Sequence, residues 1–336
     1  ETYIKNFYTD SSYNKEYNDP FFEDSQRYGT ITQMVAIEVP DVQASHAWKE
    51  WETGDTVGTY EVYLPVVHTQ YYGKTNSWEL PITITYEQWD DAVKSAEGLN
   101  ELVSYVFMVV ENKIAQHLED CNSMNRNNFI AEKIAYSESD DATGIHVVNL
   151  CEVAGKALNK SISVDEMRQD ADALRIAIAE MTLYTKYLRK QSAQFNTAGY
   201  VRFTPSDRMV FQLLSAFESD INRVVMSDTF HNDLMKLPRF ESIPYWQDSE
   251  GLDFDTVSSI NVKTGTGTAI EKSGIVGFIC DKWSILHTIK KQRVATKNFD
   301  PEALDNYYYQ FRDCYMNNLT MNAVVFVLED YTKPQA

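Results

Sequence analysis

Proline and glycine are scarce in this chain of 336 residues, 9 and 13 of them, and no stretch of it is compositionally simple. That excludes collagen-like and Pro/Gly-rich disordered chains. Without an internal repeat of fixed period, a solenoid or propeller is excluded too. Long apolar runs are also missing. The most hydrophobic one starts at Leu102 and ends before Glu111-Asn112-Lys113, far short of the roughly 20 residues a membrane span needs. The four cysteines, Cys121, Cys151, Cys280 and Cys314, show no CxxC or Cys/His spacing. They read as buried free thiols rather than zinc ligands or a disulfide framework.

Motifs of chemistry are equally sparse. The six histidines, His46, His68, His117, His146, His231 and His287, fall outside any HExxH or other ligand spacing. The acidic stretches at 138–141 and 248–255 lack the order of a calcium loop. Gly265-Thr266-Gly267-Thr268 lacks the GK[ST] ending of a P-loop, and Glu271 nearby would repel phosphate. The expectation is a chain without catalytic residues, cofactor or metal.

Charge is abundant but one-sided. The formal net charge is -19, which argues against binding nucleic acid through overall charge, since that needs a Lys/Arg surplus. The excess of acid lies upstream of Ser258, because from there on nine basic residues face eight acidic ones. Lys290, Lys291, Arg293 and Lys297 form a basic run, expected to be a solvated or subunit-facing edge.

What is present begins with a hydrophobic fraction of 43%, enough for a real core. Residues 1 to about 50 read as an arm: polar, with few periodic apolar positions, yet carrying Tyr3, Phe7, Tyr8, Tyr13, Tyr17, Phe21, Phe22 and Tyr28. Such aromatics sit on the body of the subunit or anchor a neighbour. Two segments of period two follow. Tyr60, Val62 and Leu64 share one side of an extended chain, as do Trp78, Leu80, Ile82 and Ile84. With turn residues at Gly73-Lys74-Thr75-Asn76, they predict a hairpin without a third strand nearby in sequence, which is marginal alone.

Thr85 with Gln88 suggests a capping box, and apolar residues at helical spacing from Leu99 to Cys121 predict one long helix reaching about Ala135. Beyond Gly144 the pattern is mixed. Strands are expected at 145–150, 209–214, 274–280, around 309–312 and at 323–328. Helices are expected from Ser163, capped with Glu166, and over 215–227.

An aromatic arm, a hairpin, a strut helix and an α/β body occur in the order of the Hong Kong ninety-seven-type major capsid proteins of tailed phages, which this chain resembles. Several segments look like capsid proteins of gut phages. They are Leu80-Pro-Ile-Thr-Ile-Thr-Tyr-Glu-Gln-Trp with 96–110, Ser227-Asp-Thr-Phe-His-Asn-Asp-Leu, Lys236-Leu-Pro-Arg-Phe, Ile243-Pro-Tyr-Trp-Gln, Gly274-Ile-Val-Gly-Phe-Ile-Cys-Asp-Lys, 291–299 and 307–328. The resemblance implies an α+β fold: an N-arm (1–50), an E-loop hairpin (51–85), a peripheral domain with a spine helix (86–137 plus 288–320) and an axial α/β domain (138–287 plus 321–336). It implies pentamers and hexamers forming an icosahedral head around double-stranded DNA, in a virion assembled in the bacterial cytoplasm. Scaffolding, portal and head-decoration proteins are the expected partners, with no membrane involved. An encapsulin-like compartment is the alternative. The apolar side of the hairpin, Tyr60, Val62, Leu64, Trp78, Leu80, Ile82 and Ile84, is the expected assembly interface.

Overall fold

The computed structural model describes residues 20–22, 31–39, 42, 52–53, 63–73, 75–85, 96–224, 240–247, 251–263, 267, 269–299 and 304–334, with backbone alone at 96–100, 102, 289–292, 296–299 and 304–305. In chain order the elements are β1 (Thr32–Glu38), β2 (Val66–Tyr72), β3 (Asn76–Thr85), α1 (Ala96–Ser137), β4 (Val147–Asn149), α2 (Leu150–Leu158), α3 (Val164–Gln169), α4 (Ala171–Tyr187), β5 (Met209–Leu214) and α5 (Ser215–Val224). Then come β6 (Glu241–Ile243), α6 (Phe254–Val257), β7 (Ile260–Lys263), β8 (Ala269–Lys272), β9 (Ile275–Asp281), β10 (Ile285–Phe299), β11 (Leu304–Asn317) and β12 (Ala323–Val327).

The main core is built on a five-stranded sheet of order β4-β12-β9-β5-β6. Its central strands β9 and β12 are buried at every position, as continuous apolar runs covered on both faces should be. The α4 stripe Leu174, Ile178 and Met181 joins that core, with Phe278 and Phe326 of the sheet. Ser163 and Glu166 form the expected reciprocal capping box. The helix it opens stops at Gln169, however, because the Asp170 side chain accepts from the Asp172 N–H and starts a second helix. The strand expected over 145–150 is likewise shorter. Asn149 caps α2 by accepting from the Cys151 N–H, so Leu150 is already helical.

Helix α1 is 42 residues long, about 63 Å at 1.5 Å per residue. Its C-terminal third lies in the main core through Phe129, Ile130 and Ile134, each at most 1% exposed. Towards its N-terminus it runs beside a second sheet of order β10-β11-β3, where Phe107 and Val109 are exposed. A third sheet, the ribbon β1-β2, and the hairpin β7-β8 complete the fold. The Gly265-Thr266-Gly267-Thr268 segment connects β7 to β8, with Gly267 at φ +83°.

One expectation needs correction. β2 and β3 do not form a hairpin, since β2 pairs with β1 and β3 with β11. The third strand that the sequence neighbourhood lacks comes from more than 200 residues downstream. Within the stretch 1–50, residues 32–38 form strand β1. Of its aromatics, Phe21 takes the first of the two expected places: it is fully buried in the core of its own chain and its carbonyl accepts from the His287 N–H. Tyr3, Phe7, Tyr8, Tyr13, Tyr17 and Tyr28 lie outside the described residues, as does Gln88 of the suggested capping box at Thr85, where β3 ends.

Candidate assembly surface

A two-stranded ribbon has two faces and little means of covering both. In β1-β2 the register sets Ile37 opposite Val67, Val35 opposite Thr69 and Gln33 opposite Tyr71. Directly opposed residues share a face. The other face carries Met34 and Tyr72, which pack on Leu286, Cys314 and Met316 of the β10-β11 sheet. It also holds His68, whose ring lies tilted against Tyr200 with centroids 4.7 Å apart. The ribbon is therefore seated on its own subunit with its outer face bare. On that face Val35 is 55%, Ile37 64%, Val67 54% and Tyr71 65% exposed. An apolar sheet face left in water is the signature of a surface meant to be covered.

β3 is placed differently. Trp78, Leu80 and Ile82 lie opposite Phe311, Tyr309 and Tyr307 of β11, and this face turns towards α1. The Trp78 ring meets His117 at 4.4 Å and its Nε1 donates to Asp313 Oδ1 at 2.8 Å. The Tyr315 hydroxyl donates to the other oxygen, Oδ2, at 2.8 Å, and Cys121 Sγ lies 3.5 Å from His117 Nε2. Burial pushes the Cys121 thiol upward and, with the Asp313 charge, the Tyr315 hydroxyl as well. A thiol held in its protonated form is a poor nucleophile. The cluster is thus a hydrogen-bonded lock between strand, helix and sheet. Beside it a groove of about 340 Å³ opens, lined in part by Trp78, Leu80, Ile114, His117 and Phe311.

The structure therefore separates the seven residues expected at the interface. Tyr60 and Val62 lie outside the described residues. Leu64 is 73% exposed, next to the ribbon. Trp78 and Leu80 border the groove on their own helix, while Ile82 and Ile84 are half-buried. The bare ribbon face went unread in sequence: Val35 and Ile37 alternate with Met34, Ala36 and Glu38 inside an arm-like composition, a pattern that does not say which face is covered. Among the described residues no group of acidic, His or Cys side chains could hold a metal ion, and no helix is long and apolar enough to cross a membrane.

Comparison with known proteins bears on what such a surface serves. No curated protein matches the chain. Among solved structures it is similar to the capsid of Staphylococcus phage Andhra, at 10% identity and a TM-score of 0.61, over 98% of this chain and 88% of that one. It is also similar to a chain in the structure of the head fibre and inner core protein of native bacteriophage P68, at 11% identity and TM-score 0.55, over 97% and 87%. The capsid of Ralstonia phage GP4 follows at 8% identity and TM-score 0.52, over 94% and 89%. Identities this low carry the fold alone, which is the Hong Kong ninety-seven type expected from sequence. The family model described as Phi29-like phage major capsid protein matches residues 4–327, and the chain belongs to that family of shell-forming phage capsid proteins.

Proposed function

We propose that copies of this chain join as pentamers and hexamers into an icosahedral head around double-stranded DNA, with β1-β2 as a principal contact between copies. The observation that supports this is the bare apolar face of the ribbon, Val35, Ile37, Val67 and Tyr71, on a subunit whose core is otherwise closed. A shell needs heterologous contacts, one patch meeting a different patch on the next copy. Phe107 and Val109 of α1 are further exposed apolar side chains on the same chain. The interface so proposed keeps Leu64 and adds the ribbon. Trp78 and Leu80 serve chiefly to hold β3 on its own helix, with Ile82 and Ile84 beside them.

In this reading 1–50 is the N-arm, 51–85 the E-loop, 86–137 with 288–320 the peripheral domain, and 138–287 with 321–336 the axial domain. Scaffolding, portal and head-decoration proteins are its partners, assembly takes place in the bacterial cytoplasm, and no reaction is catalysed. Family membership favours this over the encapsulin-like compartment. Electron microscopy of the purified protein tests it: closed particles or capsomer sheets are expected. A protein that stays monomeric at high concentration, under conditions where phage heads assemble, would overturn the reading.

A further inference from the structure

Strand β10 borders its sheet, with β11 on one side and an outer edge on the other. Its backbone is paired at the base, where the His287 N–H donates to the Phe21 carbonyl. Above that the register with β11 slips at a bulge between Ile289 and Lys291, and the strand then runs on to Phe299. Side chains alternate between faces along a strand. Trp78 and Phe311 mark the face towards α1. Register therefore assigns Arg312 and Gln310 of β11, with Lys291, Arg293 and Lys297 of β10, to the opposite face. At its base this opposite face is covered by Met34 and Tyr72 of the ribbon. Towards the tip Arg293 and Arg312 are exposed, and neither joins an ion pair among the described residues. The acidic residue that register adds there is Glu79, which accepts from Gln310 Nε2 at 2.9 Å.

Four basic positions on one sheet face contrast with the rest of the molecule. With 30 basic and 49 acidic residues in all, and nine and eight of these from Ser258 onward, the first 257 residues hold 21 basic and 41 acidic ones. The first 257 residues of a second copy are therefore the acidic part that could meet this face. Asp140 and Asp141, exposed just beyond the far end of α1, are one such surface, with Glu138 beside them already paired to Lys272 Nζ at 3.4 Å. We infer that the face carrying Lys291, Arg293, Lys297 and Arg312 is a contact for acidic surface of a second copy of this chain. It selects the partner and orientation of a subunit whose net charge otherwise opposes association. Positions two apart on a strand stand about 7 Å apart, so Lys291 and Arg293 are successive positions of one face, opposite Arg312 and Gln310. A bulge and a cationic edge also discourage indiscriminate strand addition, which leaves charge pairing as the specific mode of approach.

This inference rests on the shell-building reading. The test compares wild type with a neutral triple variant, Lys291→Gln, Arg293→Gln and Lys297→Gln, and its Glu counterpart, by sedimentation velocity and electron microscopy. Circular dichroism and the urea midpoint report folding. A neutral variant folded like wild type should need at least about tenfold more protein to form particles (about 1.4 kcal/mol per contact set), and the Glu variant should form none. Should the Glu variant not fold, the neutral one decides. Neutral-variant assembly at wild-type concentrations overturns the inference. So does unchanged assembly with loss of wild-type affinity for a 30-base-pair duplex, which would mark the face as a nucleic-acid surface. If wild type itself forms no particles, the shell reading fails first.

Discussion

Lys133 sits where a lysine is costly. It is fully buried on α1, and its ammonium donates to two backbone carbonyls, Leu319 at 3.2 Å and Phe195 at 3.4 Å. No salt-bridge partner compensates it among the described residues. Desolvation pulls its pKa from the ordinary 10.5 down to about 7. Cys280 and His146 face it from neighbouring segments of the core. Between about pH 7 and 10.5 the unfolded chain holds a proton there that the folded chain has released. Stability therefore rises with pH through that window, and the full penalty of the buried charge applies below it. Lys133→Met should raise the urea midpoint at pH 7 and flatten its rise between pH 7 and 10. An unchanged slope would show that this lysine is not the group that titrates. Nothing in sequence distinguished Lys133 from a surface lysine of a long helix, since its partners arrive from 62 and 186 residues away.

At the scale of elements, strand and helix periods were largely legible where burial has one side and a local cause. The expected helix from Leu99 to about Ala135 is α1, 96–137, and the strand at 209–214 is β5 residue for residue. What periodicity does not encode is the partner. Trp78, Leu80 and Ile82 announce an apolar face equally well whether β11 or a second copy covers it. The two placements separate by mutation. Ile37→Asp on the bare ribbon face puts a carboxylate in water, so the subunit should keep its urea midpoint while particle formation is lost. Ile82→Asp, half-buried opposite Tyr307, should lower the midpoint of the isolated subunit by about 1–3 kcal/mol equivalent. Equal midpoints for the two variants would return β3 to the assembly interface.

For the molecule as a whole, the order of parts along the chain was readable and the site less so. Arm composition, strut helix and buried strands follow from local chemistry, whereas the ribbon depends on joining 32–38 to 66–72, a pairing that no local pattern names. The arm itself is divisible. Removing residues 1–19 should leave the urea midpoint unchanged and weaken particle formation. Removing 1–22 also deletes Phe21, whose ring is in the core, and should cost about 3–5 kcal/mol, the usual loss for a buried phenylalanine. If both truncations lower the midpoint alike, the first 19 residues belong to the folded body.

The strand order β4-β12-β9-β5-β6 also sets a timetable. β12 comes last in the chain among the described strands, yet it joins β4 on one side and β9 on the other, so the main sheet is split until residue 327 is available. A nascent chain lacking it exposes two unpaired strand edges, with no complete subunit to offer its neighbours. Translation thus supplies a natural delay. A subunit competent to join a growing head exists only after β12 has left the ribosome, which keeps association from outrunning folding.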